Sequence, residues 1–209
     1  MVDERTTQSD AALIARVQAG DAPCFGELVR RYQSVLARVA RSRLGRADWA
    51  EDVVQETFLA AFKSCGSYDS RSSFRTWLWT ILLNQCRAHY QRRLRSVPLE
   101  PWPKHDEPAV AGEQADEGGS PLVQLLAKER SAQLESLLGR LSTVQADALR
   151  LRFFGGLKFH EIAEAMPCSL TSAKNRVRWG LLRMAEMLQA AGAQGAAPRD
   201  AAGSTNEEC

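Results

Sequence analysis

The sequence predicts an all-α protein: two small helical domains joined by a flexible acidic linker, the C-terminal one carrying a helix-turn-helix. Three observations carry that prediction. Apolar residues recur at three- and four-residue intervals through both halves of the chain, the period of an amphipathic helix. The period lapses from Ser96 to about Pro121, where five prolines, a Gly-Gly pair and six acids against one lysine exclude a packed element. The charge also changes sign along the 209 residues: +7 over 25–95, −5 over 96–129 and +4 over 130–189, although the net charge is only +2. Two basic blocks around an acidic one suggest a polyanion touched at two places. The expected boundaries are 9–95, 96–121 and 122–189, followed by a low-complexity tail over 190–209 expected to be disordered.

In chain order, Ser9 can cap a short helix from Asp10 to Ala19 that stops at Gly20. Asp21 and Pro23 restart a helix whose stripe is Phe25, Leu28, Val29, Tyr32, Leu36, Val39 and Ala40, out to about Leu44. Asp48 is expected to cap a third helix, DWAEDVVQETFLAAF, with Trp49, Val53, Phe58 and Phe62 in the core. Its face of Glu51, Asp52, Gln55 and Glu56 is either a solvated face that suits the helix N-terminus or a protein-docking surface. The stretch Ser64–Ser73 is expected to be an irregular loop. Ser72 or Ser73 then caps a fourth helix, FRTWLWTILLNQCRAHYQRRLR. Phase places Phe74, Trp77, Leu78 and Ile81 in the core and exposes Thr76, Trp79, Thr80, Leu83, Arg87 and Tyr90. Aromatics interleaved with arginines suit unpaired bases, but Trp79 can equally be buried against neighbouring helices.

Beyond the linker, whose one large apolar side chain is Trp102, the period returns through Leu122, Leu125, Leu126, Leu134, Leu137, Leu138 and Leu141. A helix from Val144 to Phe153 leads into GGLKFHEIAEAMPCSLTSAKNRVRWGLLRM. There a short helix from Leu157 to Met166 is broken by Pro167 and Cys168, and Ser169 can cap the next. In that last helix Leu170, Ala173, Val177, Leu181, Met184 and Leu188 fall on one side. Thr171, Ser172, Asn175, Arg176, Trp179 and Arg183 fall on the other, flanked by Lys174 and Arg178. An apolar inner stripe and a basic outer face on the second of two helices is the helix-turn-helix pattern, although an ordinary helical hairpin shares it.

Other function classes find little support. No glycine-rich phosphate loop follows a strand, and neither GxSxG nor HExxH occurs. Five scattered cysteines lack metal-ligand spacing, so no metal or cofactor is expected, and they suit a reducing cytoplasm. His160 beside Glu161 reads as a surface pair. No apolar run reaches the roughly eighteen residues of a membrane span, and the polar start MVDERTTQSD carries no secretory signal. The expected protein is cytoplasmic, not an enzyme and not inserted in a membrane.

Three stretches in succession, DWAEDVVQETFLAAF, SYDSRSSFRTWLWTILLNQCRAHYQRR and LSTVQADALRLRFFGGLKFHEIAEAMPCSLTSAKNRVRWGLLR, resemble the signatures of bacterial sigma-70 family RNA polymerase sigma factors. The layout is similar to the extracytoplasmic-function group. The resemblance covers Phe25–Arg95 and Arg130–Leu188. It implies an alternative sigma factor that binds core RNA polymerase at its clamp and flap and directs promoter recognition, melting and initiation. It implies that Asp52, Gln55 and Glu56 dock on the polymerase clamp. Tyr68, Ser72, Ser73, Trp79, Thr80, Asn84 and Arg87 would then meet single-stranded DNA at the melted minus-ten region. Thr171, Ser172, Lys174, Asn175, Arg176, Arg178 and Arg183 would read double-stranded DNA at minus thirty-five. The linker matches a segment that threads polymerase channels, and an anti-sigma factor is a further implied partner. The chain departs from the common pattern at Thr80, at Pro167-Cys168 and at Trp179-Gly180, which bears on promoter preference and not on class. The alternatives are a stand-alone helix-turn-helix regulator, for which no effector or phosphoacceptor domain is evident, and a helical protein-interaction module.

Overall fold

The computed structural model describes residues 8–96 and 120–195, and among them every regular element is helical. Residues 97–119 of the expected 96–121 linker, with Trp102, and the tail beyond 195 lie outside the described residues.

The first domain holds α1 (Asp10–Gln18), α2 (Phe25–Leu44), α3 (Ala47–Ser64) and α4 (Phe74–Ser96). Ser9 Oγ accepts the Ala12 N–H at 3.2 Å, the N-cap the sequence calls for. Gly20 turns the chain at φ 101°, and a short 3₁₀ turn over Ala22–Cys24, with Pro23 inside it, feeds α2. At the far end Gly45 adopts φ 74° and donates to Arg41 O at 2.8 Å, a left-handed cap that releases α3 in a new direction. Leu28, Leu36, Val39, Val53 and Leu78 are fully buried where α2, α3 and α4 meet.

Three expectations for this domain need correction. Arg46, not Asp48, is the residue before α3; Asp48 lies in the first turn, pairs with Arg46 at 2.9 Å and still favours the positive helix end. Trp49 is not core but half-buried, with the Arg46 and Arg93 guanidinium groups 5.2 and 4.6 Å from its ring. Phe62 is 40% exposed and meets the core only edge-on, through Phe25 at 5.2 Å.

The second domain holds α5 (Pro121–Gly139), α6 (Thr143–Leu149), α7 (Phe159–Ala165) and α8 (Leu170–Gly195). The expected Val144–Phe153 helix is α6 plus a π turn over Arg150–Phe154, closed by Gly155 N–H on Arg150 O at 2.9 Å. Ser169 Oγ accepts the Ser172 N–H at 3.1 Å and starts α8. That helix runs on to Gly195, into the stretch read as tail. Its inner track also differs from the expected stripe: Ala173, Val177, Gly180 and Met187 are buried, whereas Leu170, Leu181 and Leu188 remain about 45% exposed. Gly180 is the reason. A Cβ there would lie 2.9 Å from the Leu149 side chain, so the missing side chain lets α6 approach α8 at this point and rotates the contact line. On α5 only Leu137 and Leu138 are buried, and Leu122, Val123, Leu125 and Leu126 stay exposed.

The two domains pack on each other. α4 lies against α7, and α2 lies against the π turn. Arg43 Nη1 reaches Asp147 Oδ2 at 2.7 Å, and Arg150 donates to Ser42 Oγ and Ser42 O, both at 2.9 Å. Ser42 Oγ in turn donates to Glu135 at 3.0 Å. Arg75 donates to Gly155 O and sits 3.8 Å from Glu161, and Arg38 donates to Phe154 O at 2.7 Å.

Candidate nucleic-acid interface

The tandem α7–turn–α8 presents one face outward for a simple reason: its apolar track is used up against α6. Thr171, Lys174, Asn175, Arg178, Trp179 and Arg183 are exposed, and Ser172 and Arg176 are half-buried. The expected outer face is therefore outward in the structure. Arg178 lies 5.6 Å above the Trp179 ring, which stiffens a long cation on the surface. Arg183 pairs with Glu186 at 3.0 Å, and Ser172 is engaged by the Ser169 cap at 2.9 Å.

The first domain places its set less uniformly. Ser72 and Ser73 are exposed at the start of α4, and Ser73 Oγ accepts the Thr76 N–H at 3.1 Å as the cap. Asn84 and Arg87 are exposed on the same helix, with Arg87 Nη1 donating to Asn84 Oδ1 at 3.1 Å. Thr80 is half-buried and returns its hydroxyl to Thr76 O at 3.1 Å. Tyr68 is not an open stacking surface: it is 9% exposed, its ring packs on Phe74 and Trp77, and its hydroxyl donates to Ser72 O. Burial pushes that phenol above its ordinary range, aided by the nearby Asp10 and Asp69 carboxylates. Tyr68 thus holds the loop that Ser72 and Ser73 occupy.

The exposed side expected for α4 is largely covered. Trp79 has 0%, Thr76 3% and Leu83 5% of its surface open, whereas the expected core residues Trp77 and Ile81 are only half-buried. Between Phe74 and Cys86 the helix is apolar most of the way round, and such a helix must be covered on both sides. α2 and α3 cover one side, and the second domain covers the other. A Cβ on Gly155 would come within 3.1 Å of Trp79 Cζ2, so the glycine backbone lies directly on the indole. Thr80, Asn84 and Arg87 line a cleft of about 700 Å3 between the domains, and Arg176 of α8 faces it from the other wall. The structure therefore brings together one residue of the α8 set, Arg176, and three of the α4 set, Thr80, Asn84 and Arg87.

The third set lies elsewhere. Asp52 and Gln55 are exposed on α3, and Glu56 is half-buried in an ion pair with Arg92 at 2.7 Å. These line a shallow groove with Leu59, His89, Arg92 and Arg93. His89 is held below its usual range by burial and by Arg92 and Arg93, with Glu56 pulling the other way. Leu59, 58% exposed beside the acids, was not singled out from sequence; its signal was an apolar residue one turn beyond Gln55 on a polar face.

Among the described residues no cluster of His, Cys, Asp or Glu could hold a metal ion, and no helix is long and apolar enough to cross a membrane. Residues that sequence reasoning missed are the polar ones packed between the domains: Ser42, Asp147 and Arg150, all buried, and Arg43, half-buried. Only Asp147 gave a signal, a lone acid between Ala146 and Ala148.

Comparison with known proteins is consistent along the chain. Residues 28–96 match the Sigma-70 region 2 family and residues 131–184 match Sigma-70, region 4. RNA polymerase sigma-H factor of Pseudomonas aeruginosa is 31% identical over 173 residues, spanning 82% of this chain and 90% of that protein. The ECF RNA polymerase sigma-E factor of Haemophilus influenzae is 31% identical over 182 residues, 87% of this chain and 94% of the relative. Of solved structures, CnrH in complex with the cytosolic domain of CnrY superposes with a TM-score of 0.65 at 27% identity, covering 88% of this chain and 99% of CnrH. The sigma factor RpoE in complex with the anti-sigma factor NepR from Bartonella quintana gives 0.60 at 26% identity, covering 79% and 96%. With both signature domains in order and full-length relatives matched almost end to end, this chain belongs to the extracytoplasmic-function group of the sigma-70 family, alternative sigma factors that bind core RNA polymerase and promoter DNA and direct promoter recognition and transcription initiation.

Proposed function

We propose a division of labour among the three surfaces. Asp52, Gln55 and Glu56, with Leu59, dock on the clamp of core polymerase. Ser72, Ser73, Trp79, Thr80, Asn84 and Arg87 receive the melted minus-ten strand, with Tyr68 shaping the loop that presents the two serines. Thr171, Ser172, Asn175 and Arg176 face base edges at minus thirty-five, and Lys174, Arg178 and Arg183 face phosphates. The single observation that carries this reading is the outward basic face at the start of α8, presented by a serine-capped helix after a tight turn. The N-terminal end of a recognition helix is the part that reaches base edges in the major groove.

The chain itself carries no catalysis in this reading; the polymerase makes the phosphodiester bonds, and the protein works in the cytoplasm beside it. An anti-sigma factor is a further partner, since the structural neighbours CnrH and RpoE were each solved with a protein partner, named an anti-sigma factor for RpoE. The test is reconstitution: purified chain plus core polymerase is offered a library of promoter-length duplexes, and run-off products are sequenced. Transcripts that share two spaced elements support the reading; no transcript above core alone refutes it.

A further inference from the structure

The loop that presents Ser72 and Ser73 is gripped by one side chain from the far end of its domain's sequence. We infer that Gln18 of α1 is a positioning residue for promoter melting: its amide holds that loop in the shape that receives the unpaired strand. The inference rests on the proposed role of the loop.

The grip is specific in its chemistry. Gln18 Nε2 donates to Cys65 O at 2.8 Å and to Tyr68 O at 3.2 Å, across 47 and 50 residues of chain. Both partners are carbonyls, so only the amide nitrogen can face them, and its two N–H groups serve one each. Cys65 O also accepts the Tyr68 N–H at 3.1 Å, which closes the 3₁₀ turn over Cys65–Ser67. Gln18 therefore clamps both ends of that turn, where α3 gives way to the loop.

The donor itself is held in place. Leu13, Ile14 and Val17 bury the inner face of α1. Gly20 ends the helix in a Schellman motif: its N–H bonds Val17 O and the Asp21 N–H bonds Arg16 O, both at 3.0 Å. The Arg16 guanidinium then closes on Asp21 at 3.0 Å. At the other end of α1, Asp10 accepts from the Tyr32 hydroxyl and, at 3.0 Å, from Arg31, both on α2. Gln18 thus sits in the last turn of a helix fixed at both ends.

From the clamped turn, short links run to the serines. Tyr68, whose carbonyl Gln18 holds, lays its ring on Phe74 and Trp77 and donates its hydroxyl to Ser72 O. The Arg71 N–H bonds Asp69 Oδ1 at 2.9 Å and the Ser72 N–H bonds Asp69 O at 3.2 Å, so the stretch between is a closed turn. Tyr68 carries the position set by α1 to Ser72. Ser70, Arg71, Ser72 and Ser73 are all exposed. Ordering an exposed polar loop at the moment of binding opposes capture, and order supplied beforehand favours it. Extruding a base from the duplex is unfavourable in itself, so loss of that order shows first in melting. Gln18 is also exposed, so its bonds contribute little to the stability of the domain; what they fix is the geometry of the loop.

The experiment uses the full chain with core polymerase, on a promoter recovered by the run-off selection. Gln18→Met keeps the length of the side chain and removes both donors. Gln18→Lys keeps N–H donors on a side chain of similar reach. Melting is read as permanganate reactivity of the minus-ten thymines, and closed binding as anisotropy of labelled promoter duplex at low temperature. Gln18→Met is expected to lower reactivity about fivefold, the order of one or two lost hydrogen bonds, with closed binding unchanged to within about twofold. The melting temperature of the free protein should stay within about 2 °C of wild type. On a template mismatched across the minus-ten region, where unpairing is already done, its transcript yield should return to within about twofold of wild type. Gln18→Lys should restore reactivity on the duplex, taken relative to closed binding. The positioning role is overturned if Gln18→Met melts the promoter as wild type does while Ser72→Ala or Tyr68→Phe does not. It is equally overturned if Gln18→Met lowers closed binding by the same factor as reactivity, or if Gln18→Lys is as defective as Gln18→Met. If Gln18→Met, Ser72→Ala and Tyr68→Phe all leave reactivity unchanged, it is the melting role of the loop that fails, and the positioning role falls with it.

Discussion

Helices α4 and α8 begin alike and end up in opposite situations. Each is started by a serine, Ser73 or Ser169, whose hydroxyl accepts an N–H three residues on. Each is basic, and each carries a tryptophan on the side assigned to DNA. Yet Trp179 is 54% exposed and Trp79 is 0% exposed. The difference lies in the rest of the circumference. α8 has one apolar track, satisfied by α6 and α7, so its outer face is left to solvent. α4 has apolar residues nearly all round between Phe74 and Cys86, and its own domain can cover only one side. The lesson is that a helix with large apolar groups nearly all round needs an occupant on the side its own domain leaves bare.

The largest test of that contrast is stability. Trp79→Ala should cost about 3–5 kcal/mol in urea unfolding, the usual loss for a buried aromatic, whereas Trp179→Ala should stay within about 0.5 kcal/mol. Similar small values for both would mean that the side of α4 bearing Trp79 is open in solution.

A second test compares thiols. Cys86 of α4 is buried, and burial pushes its thiol up to about 11. Cys168, in the turn before α8, is half-exposed. The thiolate is the reactive form, so at pH 8 N-ethylmaleimide should modify Cys168 at least ~100-fold faster than Cys86. Comparable rates by mass spectrometry would break the contrast.

Within α8 the arginines should separate by role. Arg176→Ala should change which minus-thirty-five sequences are preferred, by about 1–3 kcal/mol at one position. Arg178→Ala should weaken all sequences alike and lower the salt slope by about one unit. Binding of the full chain to single-base variants at several salt concentrations would show it. Uniform loss for Arg176→Ala would move base readout to Ser172 and Asn175.

The smallest effect concerns His89, in the shallow groove between α3 and α4. Its folded value is depressed, so the unfolded chain binds more protons. Its stabilising contribution is therefore present above the ordinary histidine value of about 6.5 and is lost as pH falls through the lower folded value. Between pH 7.5 and pH 5 the wild type should lose slightly more stability than His89→Gln. Parallel melting curves for the two would refute it.

Much of this was legible in the residues. Ser9, Gly20, Ser73 and Ser169 mark helix ends through local hydrogen bonds and backbone angles, so a few neighbouring residues suffice to read them. The helix-turn-helix, the two basic blocks and the acidic face of α3 are also local patterns, of period and charge. The sequence by itself thus determined where the helices are, which family they belong to and which face of α8 looks outward. Tertiary structure alone decided the rest. Periodicity says that Trp79 and Leu83 share a side, but not that a turn some seventy-five residues along the chain, Phe154–Leu157, lies on Trp79. It could not show that Gly180 would draw α6 inward and leave Leu181 at the edge. Nor could it pair Ser42 with Arg150, 108 positions apart. Such contacts depend on shape and desolvation between elements distant in the chain, and no local pattern of residues encodes what will come to cover a surface.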